Sequence, residues 1–259
     1  MFPVSGHRHG TRWYMPYRIQ ETIRAIQTKL DPRTVPGGYG RWLDERIIEY
    51  PWLFARLPDG PGKLLDAGSA LNFDYILRQP KLREKQLTIT TLAPEDECFW
   101  KFGVSYVFGD LRNLSFREDH FDYIVSISTI EHIGLDNTLL YTQDPGKKET
   151  DTGSYRCALQ ELRRVLRPGG KLYLTVPFGR RDVRSWLQVF DAEMVKEIIS
   201  TFRPASYSAD YFLYDSHTGW QISSAQRASN ARYFDFRHDQ PWEGHPVAAE
   251  AIAALELVK

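Results

Sequence analysis

The fold is decided by residues 63–70, which read KLLDAGSA and place a short apolar run directly before a glycine turn. Leu64 and Leu65 give the run the character of a buried strand. Gly68 lets the backbone after the strand approach a ligand closely, because glycine has no side chain in the way. In open α/β sheets, ligands bind beyond the carboxyl ends of the strands. This turn is therefore the first candidate for a binding site.

Further apolar runs follow and alternate with helical patterns. The predicted strands are residues 63–68, 86–92, 104–108, 121–128, 172–177, 206–214 and 253–258, and the predicted helices in this part are residues 73–84, 154–167 and 191–202. Strands that alternate with helices imply βαβ units and a mostly parallel sheet covered on both faces. The predicted fold class is α/β, with a Rossmann-like, doubly wound, mostly parallel seven-stranded sheet and an N-terminal helical cap.

The segment before this pattern is predicted to be helical. Ile19, Ile23, Ile26 and Leu30 recur at steps of four, three and four residues, as one apolar stripe of a helix does. A second helix is predicted over residues 41–57, and the run Pro58-Asp59-Gly60-Pro61-Gly62 then breaks the chain. We therefore expect residues 1–60 to form the cap and residues 61–259 to form the main domain.

The composition restricts the class of protein. The 259 residues carry 33 Lys and Arg against 33 Asp and Glu, and this zero net charge argues against a general nucleic-acid binder. Cys98 and Cys157 form neither a disulfide framework nor a metal-ligand pair, and free buried thiols are expected. No run of 18 apolar residues and no hydrophobic signal core is present. We expect a soluble cytoplasmic protein without a metal site.

The motifs, taken in order, resemble the class I S-adenosylmethionine-dependent methyltransferases over roughly residues 50–205. The similarity includes bacterial methyltransferase type 11-like proteins, some of them associated with sugar or polysaccharide modification. The motifs that carry it are Leu64 to Ala70, Gly109-Asp110-Leu111, Phe121 to Ser126, Glu131-His132-Ile133 and Glu161 to Leu172. The turn contains only one glycine, which argues against a dinucleotide-binding turn, because the dinucleotide-binding fingerprint reads GxGxxG.

The resemblance implies a cofactor site for S-adenosyl-L-methionine. The residues expected to wrap its methionine part are Asp66, Ala67, Gly68, Ser69 and Ala70. Asp110 and Leu111 are expected at the adenine, and Ser126 and Ser128 at the donor methyl. For Asp66, the alternative is a carboxylate that only caps the segment after the strand.

Two positions depart from the family pattern. Ala70 stands where the family usually has a second glycine, which adds one methyl group. The tip of the second strand usually carries an acid for the ribose hydroxyls, but here it reads Thr90-Thr91-Leu92. Thr91 can offer one neutral hydrogen bond, or Glu95 can reach back from the loop. Loss of a charged acceptor is expected to weaken cofactor binding by roughly 1–3 kcal/mol.

His132 is the candidate catalytic base, because it follows the fourth strand at the ligand edge. A histidine titrates near neutrality and can take a proton from a hydroxyl. Glu131 is the candidate to orient it. The alternatives are a histidine packed against the cofactor pocket and a glutamate that caps a helix.

Candidate substrate-binding residues lie on both sides of these motifs. Arg180, Arg181 and Arg184 follow the fifth strand and can clamp a phosphate or carboxylate, or form a solvated loop. Trp13 and Tyr17 can stack on a sugar or a flat acceptor, or pack as core beneath the cap. The polar insertion at residues 135–153 is a lid or a mobile loop.

The function these features predict is methyl transfer from S-adenosylmethionine to a small-molecule or carbohydrate acceptor, such as O-methylation of a sugar or glycan intermediate. The acceptor is expected to be anionic if the arginines bind it. The alternative is a non-catalytic binding or scaffold protein on the same fold, which the missing acid at Thr91 favours.

Overall fold

The structure is a computed structural model that describes residues 12–142, 144–235, 238–239 and 247–259. The strands are β1 (Gly62–Ala67), β2 (Lys85–Thr91), β3 (Ser105–Phe108), β4 (Phe121–Ile127), β5 (Leu166–Pro177), β6 (Asp182–Val183), β7 (Gln188–Val189), β8 (Ser206–Asp215), β9 (Gly219–Ser223) and β10 (Ala251–Val258). The helices are α1 (Tyr14–Gln27), α2 (Arg46–Arg56), α3 (Asp74–Leu77), α4 (Pro80–Arg83), α5 (Thr138–Tyr141), α6 (Tyr155–Val165), α7 (Ala192–Phe202) and α8 (Ala225–Ala228). This element order confirms the α/β fold class.

The main sheet has eight strands in the order β3-β2-β1-β4-β5-β10-β8-β9, and β6 and β7 form a separate pair. Seven strands were expected, so the predicted number is wrong by one. The additional strand is β9, which pairs antiparallel with β8 from Tyr211↔Ser223 to Asp215↔Gly219. Its five residues carry too short an apolar run to predict a strand. The Asp215 carboxylate accepts hydrogen bonds from the backbone N–H groups of His217 and Thr218 and so shapes the connecting turn.

The parallel part of the sheet fixes where a ligand can bind. β1 pairs in parallel with both β2 and β4, β2 pairs with β3, and β4 pairs with β5. From β1, the strands β2 and β3 follow on one side of the sheet, and β4 and β5 follow on the other side. The direction of the strand order therefore reverses between β1 and β4. Such a switch point opens a crevice at the carboxyl ends of the two strands. The turn after β1 lies at this point.

Two predicted helices differ in extent from the observed ones. The expected helix over residues 73–84 is two four-residue helices, α3 and α4, because the proline at position 80 disfavours helical backbone at Gln79. The expected helix over residues 41–57 begins only at Arg46. Trp42 has φ +65°, so the residues before Arg46 are not helical.

The buried face of α1 is not its isoleucine stripe. Its buried residues are Tyr14, Arg18, Thr22 and Ala25, whereas Ile19, Ile23 and Ile26 are only partly buried. Arg18 Nη1 lies 2.6 Å from Asp44 Oδ2, and the backbone N–H of Asp44 donates to the Tyr14 hydroxyl over 3.1 Å. An ion pair and a hydrogen bond to Asp44 thus decide which face of α1 is buried.

The chain divides into two compact units, which are described separately. The larger unit comprises residues 58–176, 181–209 and 254–259, and the smaller comprises residues up to Leu57 together with 177–180 and 210–253. The expected boundary between residues 60 and 61 remains a prediction. Residues 1–11 of the expected cap lie outside the described residues.

A partly buried acidic residue in the smaller unit, Glu45, leads to a stability prediction. Burial raises the pKa of Glu45 to about 7, and the nearby charges of Asp44 and Glu49 act in the same direction. Glu45 Oε2 is buried and has no hydrogen-bond partner among the described residues. The folded state therefore holds this proton more tightly than the unfolded chain does. The resulting stability is fully present below about pH 4.5 and is lost as the pH rises through about 7.

We expect Glu45→Gln to stabilise the protein at pH 8 by about 1–3 kcal/mol, because it removes a buried negative charge. The gain should shrink towards pH 5, where the wild-type carboxyl is protonated. Urea unfolding at both pH values measures it. Glu193→Gln is the control, since Glu193 is exposed on α7. An equal gain at pH 5 and pH 8 would show that the charge of Glu45 is not the cause.

The composition led to expectations about the two cysteines and about membrane-spanning helices, which can be compared with the structure. Cys98 and Cys157 are free, as predicted. Their expected burial is wrong, since Cys98 is partly exposed and Cys157 is exposed. Across the described ranges, no helix combines the length and the apolar character needed to cross a bilayer.

Candidate cofactor and active site

A cavity of about 620 Å³ lies in the larger unit at the carboxyl ends of β1, β2 and β4. Its volume is within the range of small-molecule sites. Of the predicted site residues, those that line it are Gly68, Thr91, Leu92, Asp110, Leu111, Ser128 and His132. The opposite wall comes from the polar insertion, whose residues 137–142 and 144–149 we call the covering segment. The structure therefore brings much of the predicted cofactor site together with the candidate base.

Position 68 requires a glycine, because a side chain would not fit there. Its φ is +121°, a conformation that other residues rarely adopt. A Cβ atom at this position would lie 2.2 Å from Oγ1 of Thr129. Two neighbours on the same edge, Ser69 and Ser128, also have positive φ values of +64° and +43°. Backbone strain of this kind is typical of ligand-binding sites.

Asp66 shapes the turn from behind the cavity wall. It is fully buried, and its carboxylate accepts hydrogen bonds from the backbone N–H groups of Ala70 (3.2 Å) and Leu71 (2.7 Å). Of the predicted cofactor-binding residues, those outside the cavity lining are Asp66, Ala67, Ser69, Ala70 and Ser126. The capping role considered for Asp66 is thus present, and its contact with a cofactor remains a prediction.

Three buried hydroxyl groups lie at the same edge of the sheet. Ser69, Thr90 and Ser126 each have a buried Oγ atom without a hydrogen-bond partner among the described residues. They belong to the carboxyl ends of β1, β2 and β4 or to the turn just after. A buried hydroxyl without a partner is costly. None of the three lines the cavity, so the fit to a cofactor such as S-adenosylmethionine rests on the close backbone approach that Gly68 permits.

Asp110 is engaged by an arginine that the sequence did not single out. The Arg112 guanidinium donates to both carboxylate oxygens of Asp110 over 2.6–3.0 Å, and to Glu149 of the covering segment over 2.7 and 2.9 Å. Burial opposes ionisation of Asp110, but the hydrogen bonds from Arg112 outweigh it and lower the pKa of Asp110. The same bonds, to Asp110 and then Glu149, raise the pKa of Arg112. Arg112 remains charged and holds the two carboxylates together.

The tip of β2 and the covering segment both line the cavity. Thr91 is buried at the end of β2 and lines the cavity together with Tyr141. Burial raises the pKa of Tyr141, and the negative charge of Glu95 acts in the same direction. Leu92, which is half exposed, adds an apolar surface beside them. The β2 tip therefore combines an apolar wall with a polar group supplied by the insertion.

The ring of His132 is held by Trp186. Nδ1 of His132 lies 2.9 Å from the Trp186 carbonyl oxygen, and the two rings stack with centroids 5.1 Å apart. A carbonyl oxygen only accepts, so Nδ1 carries the proton in the neutral ring and Nε2 carries the lone pair. Glu131, the predicted orienting residue, has Oε1 3.9 Å from Nε2. The backbone of Trp186 thus fixes the tautomer, and no local sequence signal marks a contact 54 residues away.

The predicted arginines do not line this cavity. Arg184 is paired with Asp182, with Nε and Oδ2 2.6 Å apart. Arg181 lies on a separate cavity of about 450 Å³ with Arg156 and Glu197. In the part of the chain that the structure describes, no three His, Cys, Asp or Glu residues are arranged to hold a metal ion.

The remaining predicted substrate-binding residues belong to the smaller unit. The Arg180 backbone N–H donates to the Ala231 carbonyl over 2.9 Å. Trp13 is 38% exposed and Tyr17 is partly buried. The predicted acceptor contacts of Arg180, Trp13 and Tyr17 remain predictions.

Comparisons with known proteins find one matching family model and several similar structures. Residues 81–174 match the family model described as "Methyltransferase domain". A possible histamine N-methyltransferase from Thermotoga maritima is similar in structure with 14% identity, a TM-score of 0.49 and coverage of 96% of this chain and 93% of that chain. A Burkholderia thailandensis 1,6-didemethyltoxoflavin-N1-methyltransferase, solved with S-adenosylhomocysteine, is also similar in structure. Its sequence identity is 16% and its TM-score is 0.45, with coverage of 77% of this chain and 72% of that chain. A search of the curated proteins finds no match.

The matched region covers β2, β3, β4 and most of β5. Within it lie Thr91, Asp110, Ser128 and His132, and the glycine turn at Gly68 completes the edge. Residues 81–174 therefore match a methyltransferase domain, and its residues Thr91, Asp110 and His132 line the same cavity as Gly68.

Proposed function

We propose that this domain transfers the methyl group of S-adenosylmethionine to a hydroxyl group of a small-molecule or carbohydrate acceptor in the cytoplasm. The observation that carries the proposal is the placement of His132 on the same cavity as Gly68 and Ser128, with Nε2 as its basic nitrogen. An amine or carboxylate acceptor needs no strong base, whereas a hydroxyl does. An oriented neutral histidine therefore favours O-methylation.

His132 has one chemical task in this reaction. The sulfonium supplies an activated methyl group, so the chain mainly aligns donor and acceptor. Residues that line the cavity, Gly68 and Ser128 among them, would hold the cofactor, which would give its methyl group to the acceptor oxygen and keep the electron pair of the C–S bond. Nε2 of His132 takes the hydroxyl proton. The hydrogen bond from Nδ1 to Trp186 stabilises the imidazolium that results.

Cationic side chains of the covering segment support an acceptor with negative charge. Lys147 and Lys148 both line the cavity, and Lys148 Nζ lies 3.2 Å from Asp136 Oδ2. A phosphate or carboxylate on the acceptor would meet these lysines. They replace Arg181 and Arg184, which lie elsewhere, as the residues we assign to an anionic group. A nucleotide-sugar or another phosphorylated carbohydrate fits this charge.

The proposal is tested first by calorimetry with S-adenosylmethionine and S-adenosylhomocysteine. We expect both to bind with micromolar dissociation constants, about −8 kcal/mol. Transfer of tritium from labelled S-adenosylmethionine to a panel of sugars, sugar phosphates and nucleotide-sugars then identifies the acceptor. Matched amines serve as the negative series, and a label found only on amines would exclude O-methylation.

A non-catalytic binding protein is the second candidate. Two observations favour it: the β2 tip lacks an acid, and Arg112 occupies the carboxylate of Asp110. This candidate predicts no heat of binding at millimolar S-adenosylmethionine, so the same titration separates the two.

A further inference from the structure

We propose that Arg112 is a positioning residue that holds the covering segment over the cavity through an ion pair with Glu149, and that this pair, which we call the latch, sets how fast the cofactor enters and leaves. The inference rests on the proposed function, because it concerns access to the same cavity. The polar insertion, which the sequence left open as a lid or a mobile loop, is then a lid.

The backbone does not tie the covering segment to the sheet. The backbone hydrogen bonds described for residues 137–142 and 144–149 join positions three or four apart, such as Leu140 to Asn137 and Lys147 to Asp144. Residues 144–148 are all exposed. A segment with local hydrogen bonds and little burial can move without breaking the sheet. Its position over the cavity therefore depends on contacts made by side chains.

Arg112 supplies the contact between the covering segment and the sheet edge. Its Nη1 and Nη2 donate to the two carboxylate oxygens of Glu149 over 2.9 and 2.7 Å, which is the bidentate geometry of a strong ion pair. The same guanidinium donates to Asp110, which lies just after β3 at the sheet edge. Arg112 and Glu149 both line the cavity. The latch thus spans from the sheet edge to the opposite wall.

The latch is able to open. The Arg112 and Glu149 side chains are 28% and 40% exposed, so water and salt reach the pair. When Glu149 leaves, it enters water, and Arg112 keeps Asp110 as its partner over 2.6 Å. Opening therefore leaves no charge buried and unpaired, and its free-energy cost is small. A closed and an open arrangement of the covering segment can interconvert at such a cost.

The other end of the covering segment is fixed and acts as the hinge. The Asn137 side chain donates to the His132 carbonyl over 2.6 Å. The mobile part therefore lies between Asn137 and Glu149, and it includes Lys147 and Lys148, which line the cavity. When the latch is closed, it also holds the two lysines that we assign to an anionic acceptor.

The test measures the association and dissociation rate constants of S-adenosylhomocysteine by surface plasmon resonance. Wild type and Glu149→Gln are compared, with Glu193→Gln as the matched control, because it removes the same charge from a surface ion pair with Lys196 on α7. We expect Glu149→Gln to raise both rate constants about fivefold and to leave the Kd nearly unchanged, since a lid alters access and not the contacts of the bound ligand. Glu193→Gln should match wild type.

Salt provides a second measurement that needs no variant. Because the latch is partly exposed, raising the NaCl concentration from about 50 mM to about 500 mM should accelerate both rate constants of wild type. The rate constants of Glu149→Gln should respond little, since its latch is already broken. Wild-type rate constants that do not respond to salt would contradict the latch.

Every other outcome is also decisive. Rate constants of Glu149→Gln equal to those of wild type overturn the inference. A faster dissociation with an unchanged association rate constant overturns it too, because Glu149 would then contact the ligand directly. Thermal unfolding verifies that the variants fold. Wild-type protein that binds no S-adenosylhomocysteine overturns the proposed function and the inference with it, and this outcome is recognised before any variant is made.

Discussion

Gly68→Ala should strongly weaken cofactor binding. The new methyl group would lie 2.2 Å from Oγ1 and 2.3 Å from Cγ2 of Thr129, well inside van der Waals contact. Thr129 cannot move freely, because its hydroxyl donates to the Ile127 carbonyl over 3.0 Å. Alanine is also strained at a φ of +121°. The turn must therefore shift away from the cavity, and we expect the affinity for S-adenosylhomocysteine to fall at least roughly 100-fold.

The control separates backbone strain from the clash. Gly169 also has positive φ, +73°, but a Cβ atom there would meet nothing within 4 Å. It lies near the start of β5, at the opposite end of the strand from the carboxyl end that borders the cavity. Gly169→Ala should lower the unfolding temperature slightly and leave binding unchanged. A Gly68→Ala protein that binds S-adenosylhomocysteine like wild type would show that the turn is not part of the cofactor site.

The sheet could be predicted from the sequence because buried parallel strands are continuous apolar runs. Leu64 and Leu65 of β1 and Ile124 and Val125 of β4 are fully buried, and such runs are recognisable without a partner strand. The glycine turn was predictable for a similar reason, since the apolar run and the glycine that indicate it are neighbours in the sequence. The strand β9 was missed because it depends on pairing with β8 rather than on its own residues.

The parts of the site that the sequence did not predict depend on contacts between distant residues. Arg112 meets Glu149 across 37 positions, and His132 meets the Trp186 carbonyl across 54. Every residue has a backbone carbonyl, so the residue type at position 186 does not indicate this contact. The arginines after β5 were assigned to the acceptor because they follow a strand end, but Arg184 is satisfied by Asp182 two residues away. Arg184 thus pairs with its neighbour Asp182, and its position after a strand end did not indicate an acceptor site.

His132→Ala should slow methyl transfer to a hydroxyl acceptor by roughly 100- to 10,000-fold, the usual contribution of a general base. Cofactor binding should change little, because the glycine turn and the β2 tip remain. Tritium transfer measures the rate, and calorimetry measures the binding. His217→Ala is the matched control, since His217 lies in the exposed β8–β9 turn. Unchanged turnover of His132→Ala would remove His132 as the base.

The geometry of the base can be tested without knowing the acceptor. Nitrogen-15 spectra of the histidine rings distinguish a proton on Nδ1 from one on Nε2. We expect neutral His132 to carry it on Nδ1, because the Trp186 carbonyl 2.9 Å away can only accept. Trp186→Phe keeps that carbonyl and a stacking ring, so tautomer and turnover should stay near wild type. A proton on Nε2 would leave no basic nitrogen for the acceptor hydroxyl, and the proposed proton transfer would then be wrong even if the cofactor binds.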